Sequence, residues 1–219
     1  MNSLRHNGIG MTSQRTRSRM IERLREQGIR DEVVLAAMNS VPRHLFVEEA
    51  IAHFSYDDKS LPIGYEQTIS QPYIVARMLE VLRGGKQLGR VLEIGTGCGY
   101  QAAVLAHVAR EVYTLERIMP LHERAMNVLK ELQVSNVMCR YADGNMGWPD
   151  SAPFDGIIMA AAATHIPSAL KDQLALGGRM VYPLGAQEQT LHLLERDTQG
   201  CRESKLEVVK FVPLLMGKA

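Results

Sequence analysis

Glu93, Gly95, Gly97 and Gly99 stand at alternate positions in Arg90-Val-Leu-Glu-Ile-Gly-Thr-Gly-Cys-Gly-Tyr100. Residues without a Cβ let the backbone turn tightly and close on a ligand. A helical segment over 101–109 follows, and free N–H groups at a helix start favour polar or anionic groups. A carboxylate inside an apolar run is costly without a partner, so Glu93 caps a turn or binds a polar or cationic ligand group. Glu116 ends a second apolar run about 20 residues beyond Gly95, the spacing at which an acid accepts hydrogen bonds from ribose hydroxyls in nucleotide-binding folds. The alternative is a solvated carboxylate at a strand end. Asp143-Gly144 closes a third run, where Asp143 either accepts from an adenine amino group or forms a plain Asp-Gly turn.

A second polar stretch lies upstream, over residues 57–72: Asp-Asp-Lys-Ser-Leu-Pro-Ile-Gly-Tyr-Glu-Gln-Thr-Ile-Ser-Gln-Pro. Its prolines, glycine and hydroxyl and amide groups predict a loop. Pro72 suits the first turn of a helix over 72–82, and Ser70 has the chemistry of that helix's cap. Cys98, Cys139 and Cys201 lie far apart without Cys-x-x-Cys spacing, and the seven histidines form no metal-binding pair. A reducing cytosol and no metal are therefore expected.

Around these residues the chain alternates strand and helix. Strands are expected over 91–94, 111–116, 136–141, 154–159 and from 179, with helices over 121–132 and 167–176. That pattern predicts an α/β, mostly parallel, doubly wound sheet. Segments 191–195 and 206–212 pair as closing antiparallel strands. Helices over 17–27, 32–39 (capped by Asp31) and 47–53 form an N-terminal helical leader. Residues 1–19 carry Arg5, Arg15, Arg17 and Arg19 and no acid, and are expected to be a disordered basic extension. Residues 20–219 are expected to form one domain, with leader and polar loop over 20–83 and a nucleotide-binding core over 84–219.

The 219 residues have a formal net charge of +1 and are 46% hydrophobic. Such a balance gives no sign of a nucleic-acid surface. No apolar run reaches the roughly 18 residues of a membrane span, and the opening lacks the apolar core of a secretory signal. A cytoplasmic monomer is expected, without nucleic acid or membrane partner.

The glycines do not fit the dinucleotide pattern G-x-G-x-x-G, because Tyr100 takes the third glycine's place. E-x-G-x-G-x-G instead resembles motif I of the S-adenosylmethionine-dependent methyltransferases, which implies their Rossmann-like fold. Val41-Pro-Arg43, Leu61-Pro-Ile-Gly64, Gln67-Thr-Ile-Ser-Gln-Pro72, Glu116-Arg117, Gly147-Trp148 and Phe211-Val-Pro-Leu214 narrow the resemblance to the protein-L-isoaspartate (D-aspartate) O-methyltransferases. Ala161-Ala-Ala-Thr164 departs from the bacterial pattern of proline after two alanines.

That resemblance implies methyl transfer from S-adenosyl-L-methionine to the free carboxylate of L-isoaspartyl residues in damaged proteins. By the same resemblance Thr68, Glu93, Gly95, Thr96, Gly97, Gly99, Glu116, Asp143 and Gly144 hold the cofactor. Ser70 becomes the catalytic serine, and Ile69, Ser70 and Val212 hold the substrate, Val212 from the closing strand. The rivals are a methyltransferase of the same fold acting on a small molecule or RNA, and a non-catalytic nucleotide sensor.

Overall fold

The computed structural model describes residues 8–219. Helix α1 (Gln14–Glu26) starts at Ser13, whose side chain accepts from Thr16 N–H. Residues 8–19 thus contain a 3-10 turn, Gly10–Thr12, and the first half of a helix, which corrects the expectation of disorder there. Residues 1–7 of that expected extension lie outside the described residues. Asp31 caps α2 (Glu32–Ser40) by accepting from Val33 and Val34 N–H, as its position before the helical pattern implied. Two 3-10 turns follow, Arg43–Phe46 and Glu49–Phe54.

The polar stretch expected as a loop contains a hairpin, β1 (Leu61–Gly64) with β2 (Gln67–Ile69). Its turn residues Tyr65 and Glu66 take φ of 53° and 57°. They lack the Asn-Gly or Asp-Gly chemistry that marks such turns in a sequence, so the strands gave no signal. Helix α3 (Pro72–Arg83) follows, its N-cap being Gln71 with no side-chain bond. Asp58 Oδ1 accepts from Tyr73 N–H at 2.9 Å. The capping chemistry read into Ser70 therefore belongs to Asp58, and the Ser70 side chain is not used as a cap.

Strand β3 (Leu88–Ile94) opens the sheet and is followed by α4 (Tyr100–Leu105), shorter than expected because β4 (Ala109–Glu116) already begins at Ala109. Then come α5 (Met119–Glu131), β5 (Val137–Tyr141), β6 (Phe154–Met159), α6 (Ser168–Asp172), β7 (Leu174–Leu184), β8 (Gln189–Asp197) and β9 (Gly200–Val209). The order is β5-β4-β3-β6-β7-β8-β9. All pairs from β5 to β7 are parallel, and β8 and β9 close the sheet antiparallel. The chain order reverses between β3 and β6, which is where open α/β sheets hold ligands.

Two expected boundaries fail locally. Gly177-Gly178 lies inside β7 and does not end a helix, and the β6–β7 register shifts there. Gln173 explains the early strand: its backbone carbonyl accepts from Phe154 N–H while its side chain bonds Trp148 N–H and Met146 O. Val212 lies beyond the end of β9, where its carbonyl accepts from Ala162 N–H at 2.8 Å in the parallel bridge that Ala162 makes with Pro213.

Alternation along β3 feeds two cores, Val91 packing with α1 to α5 on one face and Leu92 and Ile94 with α6, Trp148 and Phe154 on the other. A buried Arg83–Asp31 ion pair ties α2 to α3. No described helix is long and apolar enough to cross a membrane.

Candidate active site

The carboxyl ends of β3, β4 and β6, roofed by the β1–β2 hairpin and residues 212–215, enclose a cleft of about 880 Å³ open to solvent. Thr68, Ile69, Ser70, Gly95, Thr96, Gly97, Glu116, Gly144 and Val212 all line it, so the two distant polar stretches of the sequence meet here.

Gly97, at φ +55°, turns the chain under the cleft, and a Cβ there would lie 3.3 Å from Ile63 of the hairpin. Its N–H donates to Glu116 Oε2 at 2.8 Å, and Arg117 and Ile118 N–H donate to Oε1 at 2.9 Å each. Glu116 is thus fixed by backbone, and since a carboxylate has about four acceptor positions it retains capacity for a ligand hydroxyl.

Three of the expected contacts are not at the cleft surface. Glu93 is fully buried behind the glycine turn and directly opposite Thr114 in the sheet register. Gln101 Nε2 donates to its Oε1 at 3.1 Å, and the Thr114 hydroxyl bonds its Oε2 at 2.5 Å. Thr114 Oγ1 continues to Thr96 Oγ1 at 2.6 Å. Burial, opposed by those bonds and reinforced by Glu116, pushes the Glu93 carboxyl up to about 8. Burial thus favours the protonated acid, which bonds Gln101 directly and reaches Thr96 through Thr114; Gln101 and Thr96 both line the cleft. Gly99 is explained by packing: a Cβ there would lie 3.2 Å from Ala125 Cβ of α5.

Asp143 Oδ1 accepts from Asn145 N–H, and Oδ2 from Gly217 N–H at 2.7 Å. Although burial works against it, the bonds from Gly217 and Asn145 hold its carboxyl below the usual range. Asp143 therefore anchors the chain's last turn. Arg117 Nε donates to Gly217 O, and Met119 N–H and Tyr141 OH donate to Ala219 O.

A second groove, of about 1270 Å³, adjoins the cleft along Val208–Val212, Ser60, Gln71 and Ile74. The two share Thr68, Ser70, Ala160 and Val212. Sequence reasoning noted the small residues after β6 but assigned Ala160 and Ala161 no place in the site. Gln101 and Arg117 were likewise missed, since a lone amide or guanidinium gives no signal until its neighbours are known.

A protein-L-isoaspartate(D-aspartate) O-methyltransferase family model matches residues 15–219. The chain belongs to this family. Among curated relatives, a protein-L-isoaspartate O-methyltransferase of Methylobacillus flagellatus is 61% identical over 99% of both chains. One of Aromatoleum aromaticum is 59% identical over 98% of this chain and 99% of its own. A solved protein-L-isoaspartate O-methyltransferase superposes with a TM-score of 0.82 at 27% identity, over 90% of this chain and 65% of that one. A Plasmodium falciparum beta-aspartate methyltransferase, in complex with S-adenosyl-L-homocysteine, gives 0.76 at 26%, over 91% and 98%. The α/β fold with its mostly parallel sheet is thus that of S-adenosylmethionine-dependent methyltransferases, and the methyl donor is S-adenosyl-L-methionine. The cleft fits that donor: a glycine-turn floor, apolar walls from Ile94, Leu115 and Ile118, and a backbone-fixed carboxylate with acceptor capacity left.

Proposed function

We propose that in this repair enzyme, a protein-L-isoaspartate O-methyltransferase, Ser70 orients the free carboxylate of the L-isoaspartyl residue for methylation. The carrying observation is the meeting of the cleft and the groove at Thr68, Ser70, Ala160 and Val212. The cleft over the glycine turn serves the donor and the adjoining groove serves an extended peptide, with Ser70 at the junction.

S-adenosylmethionine, when bound, supplies an electrophilic methyl group on a sulfonium centre. Gly95, Thr96, Gly97 and Gly144 line the cleft that would hold it, and Glu116 would accept from its ribose. A carboxylate with an ordinary pKa of about 4 is already ionised at neutral pH, so no general base is needed. The chain's task is alignment and exclusion of water. The Ser70 hydroxyl donates to one oxygen of the substrate carboxylate and leaves the other free to attack. Thr68, Ile69 and Val212 hold the peptide beside it. The carboxylate oxygen takes the methyl group with S-adenosylhomocysteine as the leaving group, and the methyl ester then closes to a succinimide without further help as the next backbone nitrogen displaces methanol.

A hydrogen bond to a charged group contributes about 1.5–3 kcal/mol. Ser70→Ala should therefore lower kcat roughly ten- to a hundredfold and leave S-adenosylhomocysteine affinity nearly unchanged. Radiolabelled methyl transfer to matched isoaspartyl and aspartyl peptides reads this, and full turnover by Ser70→Ala would remove the role. The enzyme works as a cytoplasmic monomer without nucleic acid, which sedimentation and a salt-dependent binding titration test.

A further inference from the structure

Arg43 is fully buried, in the 3-10 turn that follows Pro42. Its Nε donates to Ser55 O at 2.8 Å and its Nη2 to Ser70 O at 2.7 Å. Among the described residues Nη1 is buried without an acceptor. The guanidinium carbon lies 4.8 Å from the centre of the Tyr100 ring, a wall of the cleft. Burial pushes Arg43 below the ordinary guanidinium range, offset in part by Tyr100, Cys98, Tyr56 and Asp58.

A buried charge without a paired carboxylate is among the costlier features of a fold, and an apolar side chain of similar size would fill the space more cheaply. What an apolar residue would not do is hold two backbone carbonyls in one rigid fork. Ser70 needs such a hold. It stands between the last residue of β2 and the N-cap of α3, outside both ladders. Arg43 supplies the hydrogen bond that its carbonyl accepts.

We propose that Arg43 is a positioning residue for methyl transfer: through the Ser70 carbonyl it fixes the Ser70 peptide plane, and with it the hydroxyl at the junction of cleft and groove. This rests on the role given to Ser70 above.

The test is a double-mutant cycle of Arg43→Lys and Ser70→Ala, measured with an isoaspartyl peptide and, separately, by calorimetric S-adenosylhomocysteine binding. Lysine keeps the charge but lacks the rigid planar fork that spaces donors to the two carbonyls. Because small misplacement at a reacting centre costs up to about a hundredfold, Arg43→Lys should lower kcat about tenfold or more. Cofactor affinity should move less than about threefold, and the double variant should be no slower than Ser70→Ala alone. A purely structural role would multiply the two losses. Multiplied losses, or kcat within about twofold of wild type in Arg43→Lys, overturn the proposal. Should Arg43→Lys fail to bind cofactor, Arg43→Gln, which keeps a planar donor, is read by the same criteria. Full turnover by Ser70→Ala would sink the Ser70 reading itself, a failure visible without any Arg43 variant.

Discussion

Replacing Glu93 by glutamine should make the protein's stability less sensitive to alkali. Glu93 is fully buried and keeps its proton up to about 8, against an ordinary value of 4.5. Between those values the folded chain binds one proton that the unfolded chain has released, so stability falls as pH rises through the window. Below 4.5 both states are protonated and nothing is lost; above about 8 the loss is complete. At about 1.4 kcal/mol per pH unit, the window amounts to about 5 kcal/mol. Glutamine reproduces the neutral acid: its carbonyl accepts from Gln101 and its amide donates to Thr114, the two partners Glu93 has. Urea unfolding at pH 5, 6.5, 8 and 9 measures the difference. The two proteins should agree within about 1 kcal/mol near pH 5, and the variant's advantage should grow by about 1.4 kcal/mol per pH unit to about pH 8, then level off. All other titrating groups are common to both chains and cancel in the difference. Parallel stability curves would refute the reasoning, because they would mean that Glu93 is already ionised in the folded protein.

Glu116→Ala should raise the S-adenosylhomocysteine dissociation constant roughly ten- to a hundredfold, the worth of a charge-assisted hydrogen bond, while kcat at saturating cofactor changes little; calorimetry checks this. Removal of residues 217–219 should weaken cofactor binding at least as much as Asp143→Ala, since it removes the Asp143–Gly217 bond together with those of Arg117, Met119 and Tyr141. Weakening by Asp143→Ala alone would return that carboxylate to direct contact with the cofactor. Gly144→Ala would set a Cβ 2.4 Å from Ile94 Cγ2, an overpacking that costs about 1–3 kcal/mol, seen as a fall in Tm.

The parallel part of the sheet was legible because buried strands and the helices between them write their periods locally. The segment 154–159 matches β6 (Phe154–Met159) residue for residue. The glycine turn and Asp31 were legible for the same reason, as backbone geometry there restricts the residue type. The β1–β2 hairpin was not, since Tyr65 and Glu66 take a left-handed geometry that their residue types do not favour. Glu93 and Glu116 look alike in the sequence, each a carboxylate near a strand end. Only the sheet register, which sets Glu93 against Thr114 and leaves Glu116 at the cleft, separates a buried acid held by its neighbours from a carboxylate that lines the cleft. Ser70 has the chemistry of a cap in the sequence, and in space Asp58 fills that role. Sequence determined the parallel strands, the glycine turn and the Asp31 cap, because those depend on neighbours a few positions away. Tertiary structure alone decided which polar groups face the cleft and which satisfy one another, because a hydrogen bond is chosen by atoms in space, and here those atoms come from residues as far apart as Arg43 and Ser70, or Asp143 and Gly217.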